Sequence, residues 1–231
     1  MKKWLVLILV FFLLESFGTQ GISPAETQQT NTLYVANTEA LCTGYTECFF
    51  NDSTDLPESN ALMKAIKFAK DNNLIDVTIN ILSPYEINSH IVQVDYPVSI
   101  IGKNTGWIST SNSDCSRPMF VISAQATIRD ISLNDGACNS PSRDLLVVNS
   151  PSSVIIEHST FENGRTAISY QAGAGDLTVR FNHINNNQAA INSTNIDQDA
   201  NLLVVANNIT SSSTSVQVYC AGNSFVDHNF W

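Results

Sequence analysis

Basic residues are scarce in this chain: 11 lysines and arginines stand against 21 aspartates and glutamates, a formal net charge of −10 over 231 residues. Beyond Lys2 and Lys3 no basic run occurs, so the chain has no electrostatic footprint for nucleic acid or anionic lipid, and no nucleic-acid partner is expected. The same charge repels polyanionic ligands at long range unless a local basic patch or a bound cation offsets it. The sequence also has no Gly-rich phosphate loop, no His-Glu-x-x-His and no Cys-x-x-Cys pair, which removes the common phosphate and zinc motifs. After the N-terminus no apolar stretch is long enough to span a bilayer, and the C-terminus has no hydrophobic GPI tail.

What is present begins with a short address. Lys2 and Lys3 precede an unbroken apolar run, Trp4 to Leu14, and Glu15 to Gly21 is polar with small residues. This is the pattern of a secretory signal peptide, 1–21, with a retained anchor as the alternative. Small residues at Gly18, Gly21 and Ala25 leave the cut open; Gly21 is the working boundary. Removing 1–21 takes away Lys2, Lys3 and Glu15, brings the charge to about −11 and leaves no stable membrane span. The expected location is secreted, periplasmic or cell-surface. All five cysteines follow the cut into an oxidising compartment, where disulfides are expected. Cys42 and Cys48 would close a small loop; Cys115 and Cys138 would close one worth roughly 3 kcal/mol. Cys220 is left over, either free or paired with another chain.

Residues 22–32 read as a flexible leader and 33–231 as one domain. Leu33 to Ala36 reads as a short strand. Between Leu56 and Asn73, Ala61, Leu62, Ala65, Ile66 and Ala69 share a helical face, with Pro57 and Glu58 before them and Lys67 and Lys70 near the end. That spacing and charge order predict an amphipathic helix. Everything after it is rich in Val, Ile, Asn, Ser and Thr and broken at short intervals by Gly, Pro and Asn.

Six of those segments superpose at Ile100, Ile128, Ile156, Val179, Val204 and Val226, in steps of 22 to 28 residues. Five positions after the last five anchors stand Leu133, Phe161, Ile184, Ile209 and Trp231; three positions after the last three stand Asn182, Asn207 and Asn229. Such repetition predicts a solenoid whose asparagines stack at a bend, bonding the turn backbone and their own copies and tolerating left-handed conformations. The rival is a β-sandwich, for which Asn163-Gly164 and Asp135-Gly136 would be good hairpin turns. A sandwich gives no reason for the recurrence.

The stretch "DVTINILSPYEINSHIVQVDYPVSIIGKN" behind the helix, with Tyr85, Glu86, Ile87, Val92, Val94, Pro97, Ile100 and Gly102 in order, resembles the opening of right-handed parallel β-helix proteins of the pectate-lyase-like superfamily. The resemblance runs from about Leu33 to the end and implies an all-β, right-handed parallel β-helix with one N-terminal capping α-helix, Leu62 to Ala69. It also implies a polysaccharide ligand, and lyase or glycoside hydrolase chemistry if the chain is an enzyme. Polygalacturonase-like members carry Asn-Thr-Asp, Asp-Asp, Gly-His-Gly and Arg-x-Lys patterns, and all four are missing. Calcium-dependent lyases of the superfamily use clustered carboxylates and a basic residue as proton acceptor, so Ca²⁺ enters only if the chain is a lyase; no other cofactor and no metal site is expected.

Four residues remain as catalytic candidates. Phe225-Val226-Asp227-His228 resembles the Trp-Ile-Asp-His pattern of one pectate lyase family with its tryptophan replaced, which singles out Asp227 and His228. "IIEHSTFENGRTAI" supplies Glu157, and the register that points Ile156 inward points Glu157 outward between Arg129 and Arg180. The competing reading of Glu157 and Arg180 is a surface charge ladder worth roughly 0.2 to 1 kcal/mol per pair. His90, His158, His183 and His228 fall on separate turns, and spaced histidines of that kind are expected to be solvated or hydrogen-bonded. Sequons at Asn51, Asn192 and Asn208 matter only in a eukaryotic secretory pathway. The function expected is a secreted β-helix that binds or modifies polysaccharide; the alternative is a non-catalytic surface or adhesive solenoid. Ending at Trp231 without a polar cap leads to the expectation that the coil is truncated there, a further stretch of coil or a partner covering it.

Overall fold

Short β-branched runs form strands, and the Asn and Gly between them supply the tight bends that join one strand to the next. The computed structural model describes residues 31–52, 60–82, 85–87, 91–110, 115–136, 138, 142–171, 173–196, 199–210, 212–220 and 223–231. The signal segment, the leader as far as residue 30, Pro57, Glu58 and His90 lie outside the described residues, as does the side chain of Cys220. In chain order come β1 (Thr32–Ala36), a 3-10 turn (Glu39–Cys42), β2 (Cys48–Phe50), α1 (Ala61–Asp71) and β3 (Val77–Ile81). The coil continues through β4 (Tyr85–Ile87), β5 (Val92–Val94), β6 (Val98–Thr110), β7 (Phe120–Ile122), β8 (Ala126–Asn134) and β9 (Asp144–Val148). Turns of three strands follow: β10 (Val154–Glu157), β11 (Thr160–Glu162) and β12 (Thr166–Tyr170), then β13 (Leu177–Arg180), β14 (His183–Asn185) and β15 (Ala189–Ile196). The next is β16 (Asn201–Val205), β17 (Asn208–Thr210) and β18 (Thr214–Cys220), and β19 (Asn223–Asp227) starts another.

All strand pairings among the described residues are parallel, and they stack the turns into a solenoid with three faces. The first face runs β2-β1-β3-β6-β8-β10-β13-β16-β19 and the third β5-β7-β9-β12-β15-β18. Between them, β4, the far ends of β6 and β8, then β11, β14 and β17 form the second. The sandwich alternative is thereby excluded: neither Asp135-Gly136 nor Asn163-Gly164 closes a hairpin. Gly164 is required by crowding instead, since a Cβ there would lie 2.6 Å from Leu145 Cγ.

The repeat read from the sequence is the physical register of the first face. Ile100, Ile128, Ile156, Val179, Val204 and Val226 pair in succession, and all but Val226 are buried. Leu133, Phe161, Ile184 and Ile209 pair likewise on the second face and fill the same core. Full burial of side chains of this size favours the folded state by roughly 1.5 to 3 kcal/mol each, and the stacked column makes that gain continuous along the coil.

The asparagines hold the bend between the first two faces. Asn182 Oδ1 accepts from Ser159 N at 2.9 Å, Asn207 Oδ1 from Asn182 N at 3.0 Å, and Asn229 Oδ1 from Asn207 N at 2.9 Å. Asn207 Nδ2 in turn donates to Val179 O, Val205 O and Asn229 Oδ1, so the side chain satisfies its own turn and both neighbours. The left-handed residue of this bend is not the asparagine but the one before it: Asp130, His158, Phe181, Ala206 and His228 have φ between 51° and 58°. At the next bend the expectation holds differently, with Asn163 and Asn186 left-handed and Asn187 bonding Gly164 N, Phe161 O and Asn185 O.

α1 starts at Asn60, whose Oδ1 accepts from Leu62 N and Met63 N at 3.0 and 3.2 Å, an N-cap the sequence reading did not identify. The face expected from the spacing, Ala61, Leu62, Ala65, Ile66 and Ala69, is the buried one. It packs against β1, β2, β3 and β5 at the first turns of the coil. Cys42 joins Cys48 and Cys115 joins Cys138, with Cα separations of 5.5 and 6.0 Å. The second bridge adjoins a buried ion pair: Arg143 Nε lies 2.8 Å from Asp135 Oδ1, the two side chains 3% and 0% exposed. The guanidinium also reaches Cys138 Sγ at 2.9 Å. Burial pushes the Asp135 carboxyl above its ordinary value, with Arg143 pulling the other way.

Candidate functional site on the outward bend

Five rungs pass through the first bend in the same conformation: Arg129-Asp130-Ile131, Glu157-His158-Ser159, Arg180-Phe181-Asn182, Val205-Ala206-Asn207 and Asp227-His228-Asn229. The first residue ends the first-face strand pointing away from the core, because its predecessor points in. The second is left-handed, and from Ser159 onward the third hydrogen-bonds inside the bend. Two columns of side chains therefore stand side by side on the outer surface: Arg129, Glu157, Arg180, Val205, Asp227 and Asp130, His158, Phe181, Ala206, His228.

All four candidates lie in these columns, yet they form two separate pairs. Arg180 Nη2 is 2.6 Å and its Nε 2.7 Å from Glu157 Oε2. Asp227 Oδ2 is 2.9 Å from His228 Nδ1, and its Oδ1 accepts from the His228 backbone N–H at 2.7 Å. Between the pairs sits the Val205-Ala206 rung. The ladder reading is thus half realised. Glu157 is flanked by Arg129 and Arg180 in register, but Arg129 turns to Asp130, Nε to Oδ2 2.9 Å. The arrangement pairs acidic with basic side chains along the outer surface, Glu157 with Arg180 and Asp227 with His228.

The residue that sequence reasoning passed over is Phe181. Its ring stacks on His158 at 5.2 Å between centroids and 18° between planes, Arg180 Cζ lies 5.9 Å from its centroid, and half of the residue is exposed. The signal was available: in the column aligned behind Glu157 and Arg180, a large apolar residue stands where the other rungs carry polar or small ones.

The remaining histidine does not join the cluster. His183 Nδ1 is 3.1 Å from Asn208 Nδ2 on the second face, while His158 and His228 are three rungs apart. Among the described residues no three His, Cys, Asp or Glu side chains converge as metal ligands. The bend between the third and first faces holds an open groove lined by Pro151, Gly175, Asp176 and Asp199. There Asp176 Oδ1 is already engaged by Asn201 N and Nδ2, both at 2.9 Å. No helix among the described residues is long and apolar enough to cross a membrane. Compared with protein-family models, curated proteins and solved structures, the chain matches none.

Proposed function

We propose that this chain is a secreted, right-handed β-helix of the pectate-lyase-like kind that binds polysaccharide along its outward bend without cleaving it. The observation that carries the reading is Phe181, a half-exposed aromatic ring stacked on His158 beside the Glu157–Arg180 pair. An aromatic face flanked by fixed hydrogen-bonding groups suits a sugar, whose ring presents C–H bonds on one side and hydroxyls at its rim. Ligand binding without turnover agrees with the engagement of Arg180 by Glu157 and of Asp227 by His228, since a lyase needs an uncommitted base. Right-handedness follows the strong preference of parallel crossovers. Two disulfides and the apolar run at Trp4 to Leu14 support export, and the buried face of α1 supports its role as a cap over the first turn.

Retention of the purified protein on immobilised glucan, mannan, galactan, alginate and polygalacturonate tests the reading. Binding to at least one glycan is expected; passage through all of them overturns it. The acidic net charge of −10 and the missing polygalacturonase-like patterns favour the adhesive alternative. Binding to cells stripped of surface glycan would support that reading instead.

A further inference from the structure

The outward column of left-handed residues changes character once. Asp130, His158, Phe181 and His228 carry large or polar side chains, and Ala206 between the last two carries a methyl group. Where adjacent rungs both carry rings, at His158 and Phe181, the rings close on each other at 5.2 Å. On the opposite side of Phe181 the next rung offers only the Ala206 methyl, and the next ring in the column is His228, two rungs away. Two strand spacings of about 4.8 Å place those rungs roughly 10 Å apart. A saturated six-membered ring held at a carbon contact of about 4 Å from each flank occupies most of that interval.

We propose that the Val205-Ala206 rung is a slot for one uncharged pyranose ring, taken between Phe181 and His228; the proposal rests on the polysaccharide-binding reading and names its ligand class. Three features of the site support it. Phe181 takes the left-handed conformation shared by every rung of this bend, φ 58°, which turns its half-exposed ring outward beside the slot. The polar rim is set for hydroxyl groups: Asp227 stands beside His228, half exposed, with two acceptor oxygens, and Arg180 stands beside Phe181. Finally, the cations of the column already have carboxylate partners, Arg180 with Glu157 and Arg129 with Asp130. A uronate or sulfate would therefore meet an acidic neighbourhood with its guanidinium groups committed, on a chain of net charge −10. A neutral sugar meets no such opposition.

The test uses the full secreted chain and isothermal titration with cellohexaose, mannohexaose, galactohexaose and hexagalacturonate. Binding is expected for at least one neutral hexasaccharide, with hexagalacturonate weaker. Phe181→Ala should weaken the neutral ligand by about tenfold or more. Ala206→Phe should abolish its binding by continuing the ring stack into the slot, a conformation the neighbouring rung already supports. Ala206→Ser should retain it. Neutral binding unchanged by both Phe181→Ala and Ala206→Phe overturns the slot and leaves the polysaccharide reading intact. Binding confined to hexagalacturonate overturns the uncharged class alone. Absence of binding to every oligosaccharide and every immobilised glycan overturns both. Melting temperatures of the variants keep unfolding distinct from loss of the site.

Discussion

Replacing Asn207 by alanine should cost this fold more than any single surface change, and the size of the loss follows from its hydrogen bonds. Asn207 is fully buried. Its Oδ1 accepts from Asn182 N and Nδ2, both at 3.0 Å, and its Nδ2 donates to Val179 O at 3.0 Å, Val205 O at 3.1 Å and Asn229 Oδ1 at 2.9 Å. Alanine leaves Asn182 N–H and Val179 C=O inside the bend without that partner. Each orphaned group costs about 1 to 3 kcal/mol, so the total expected is about 4 kcal/mol. Serine should recover part of it. In the Glu157 rung Ser159 already fills this position, bonding Glu157 O at 2.9 Å and accepting from Ile131 N at 3.3 Å. Asn208→Ala, next in sequence but exposed, should stay within about 0.5 kcal/mol of the parent. Urea unfolding followed by circular dichroism, with disulfides intact, measures all three. A midpoint for Asn207→Ala equal to that of Asn208→Ala would refute the claim that the asparagine column holds the bend.

Other perturbations test separate parts of the account. Arg143→Met strands the buried Asp135 carboxyl and should cost about 3 to 5 kcal/mol, whereas Arg143→Met with Asp135→Leu should recover most of it. Without Arg143 only burial acts on the Asp135 carboxyl, raising its pKa further above 3.8. A carboxyl raised in the folded state holds its proton more tightly there than in the unfolded chain. The single variant's deficit should therefore be smallest below pH 3.8 and grow as pH rises through the raised value; a deficit independent of pH between 3 and 7 would contradict this. Gly175→Ala places a Cβ 2.4 Å from Pro151 O, a backbone atom, and should lower the melting temperature by several degrees, read by calorimetry. Replacing Cys115 and Cys138 together by serine should cost about 3 kcal/mol, measurable by the same urea series.

The sequence made the first face legible because two signals ran in phase there. An inward aliphatic residue and, three positions on, an asparagine or serine recur together, so Ile156, Val179 and Val204 could be aligned before any pairing was known. The third face carries no such mark. Thr166–Tyr170 is buried throughout, and a strand without alternation cannot announce its register. Loops of unequal length on either side of it, such as 135–143 before β9 and 171–176 after β12, spread the period from 22 to 28 residues. The buried pair was not legible for the same reason: nothing in the spacing of Asp135 and Arg143 shows that they meet beside the Cys115–Cys138 bridge. Phe181 was hidden by its neighbour. The outward charge of Arg180 drew attention to the strand end, while the left-handed turn that exposes the next side chain is a property of the backbone.

The central proposal is that the reactive-looking residues of the bend are structural pairs beside a polysaccharide-binding surface. The most direct measurement is product analysis after prolonged incubation of the purified chain with each retained glycan, with and without Ca²⁺, by reducing-end assay and absorbance of unsaturated uronate. The account predicts retention with no product under either condition. Product formation that disappears in Asp227→Asn, His228→Ala or Arg180→Gln protein would contradict it.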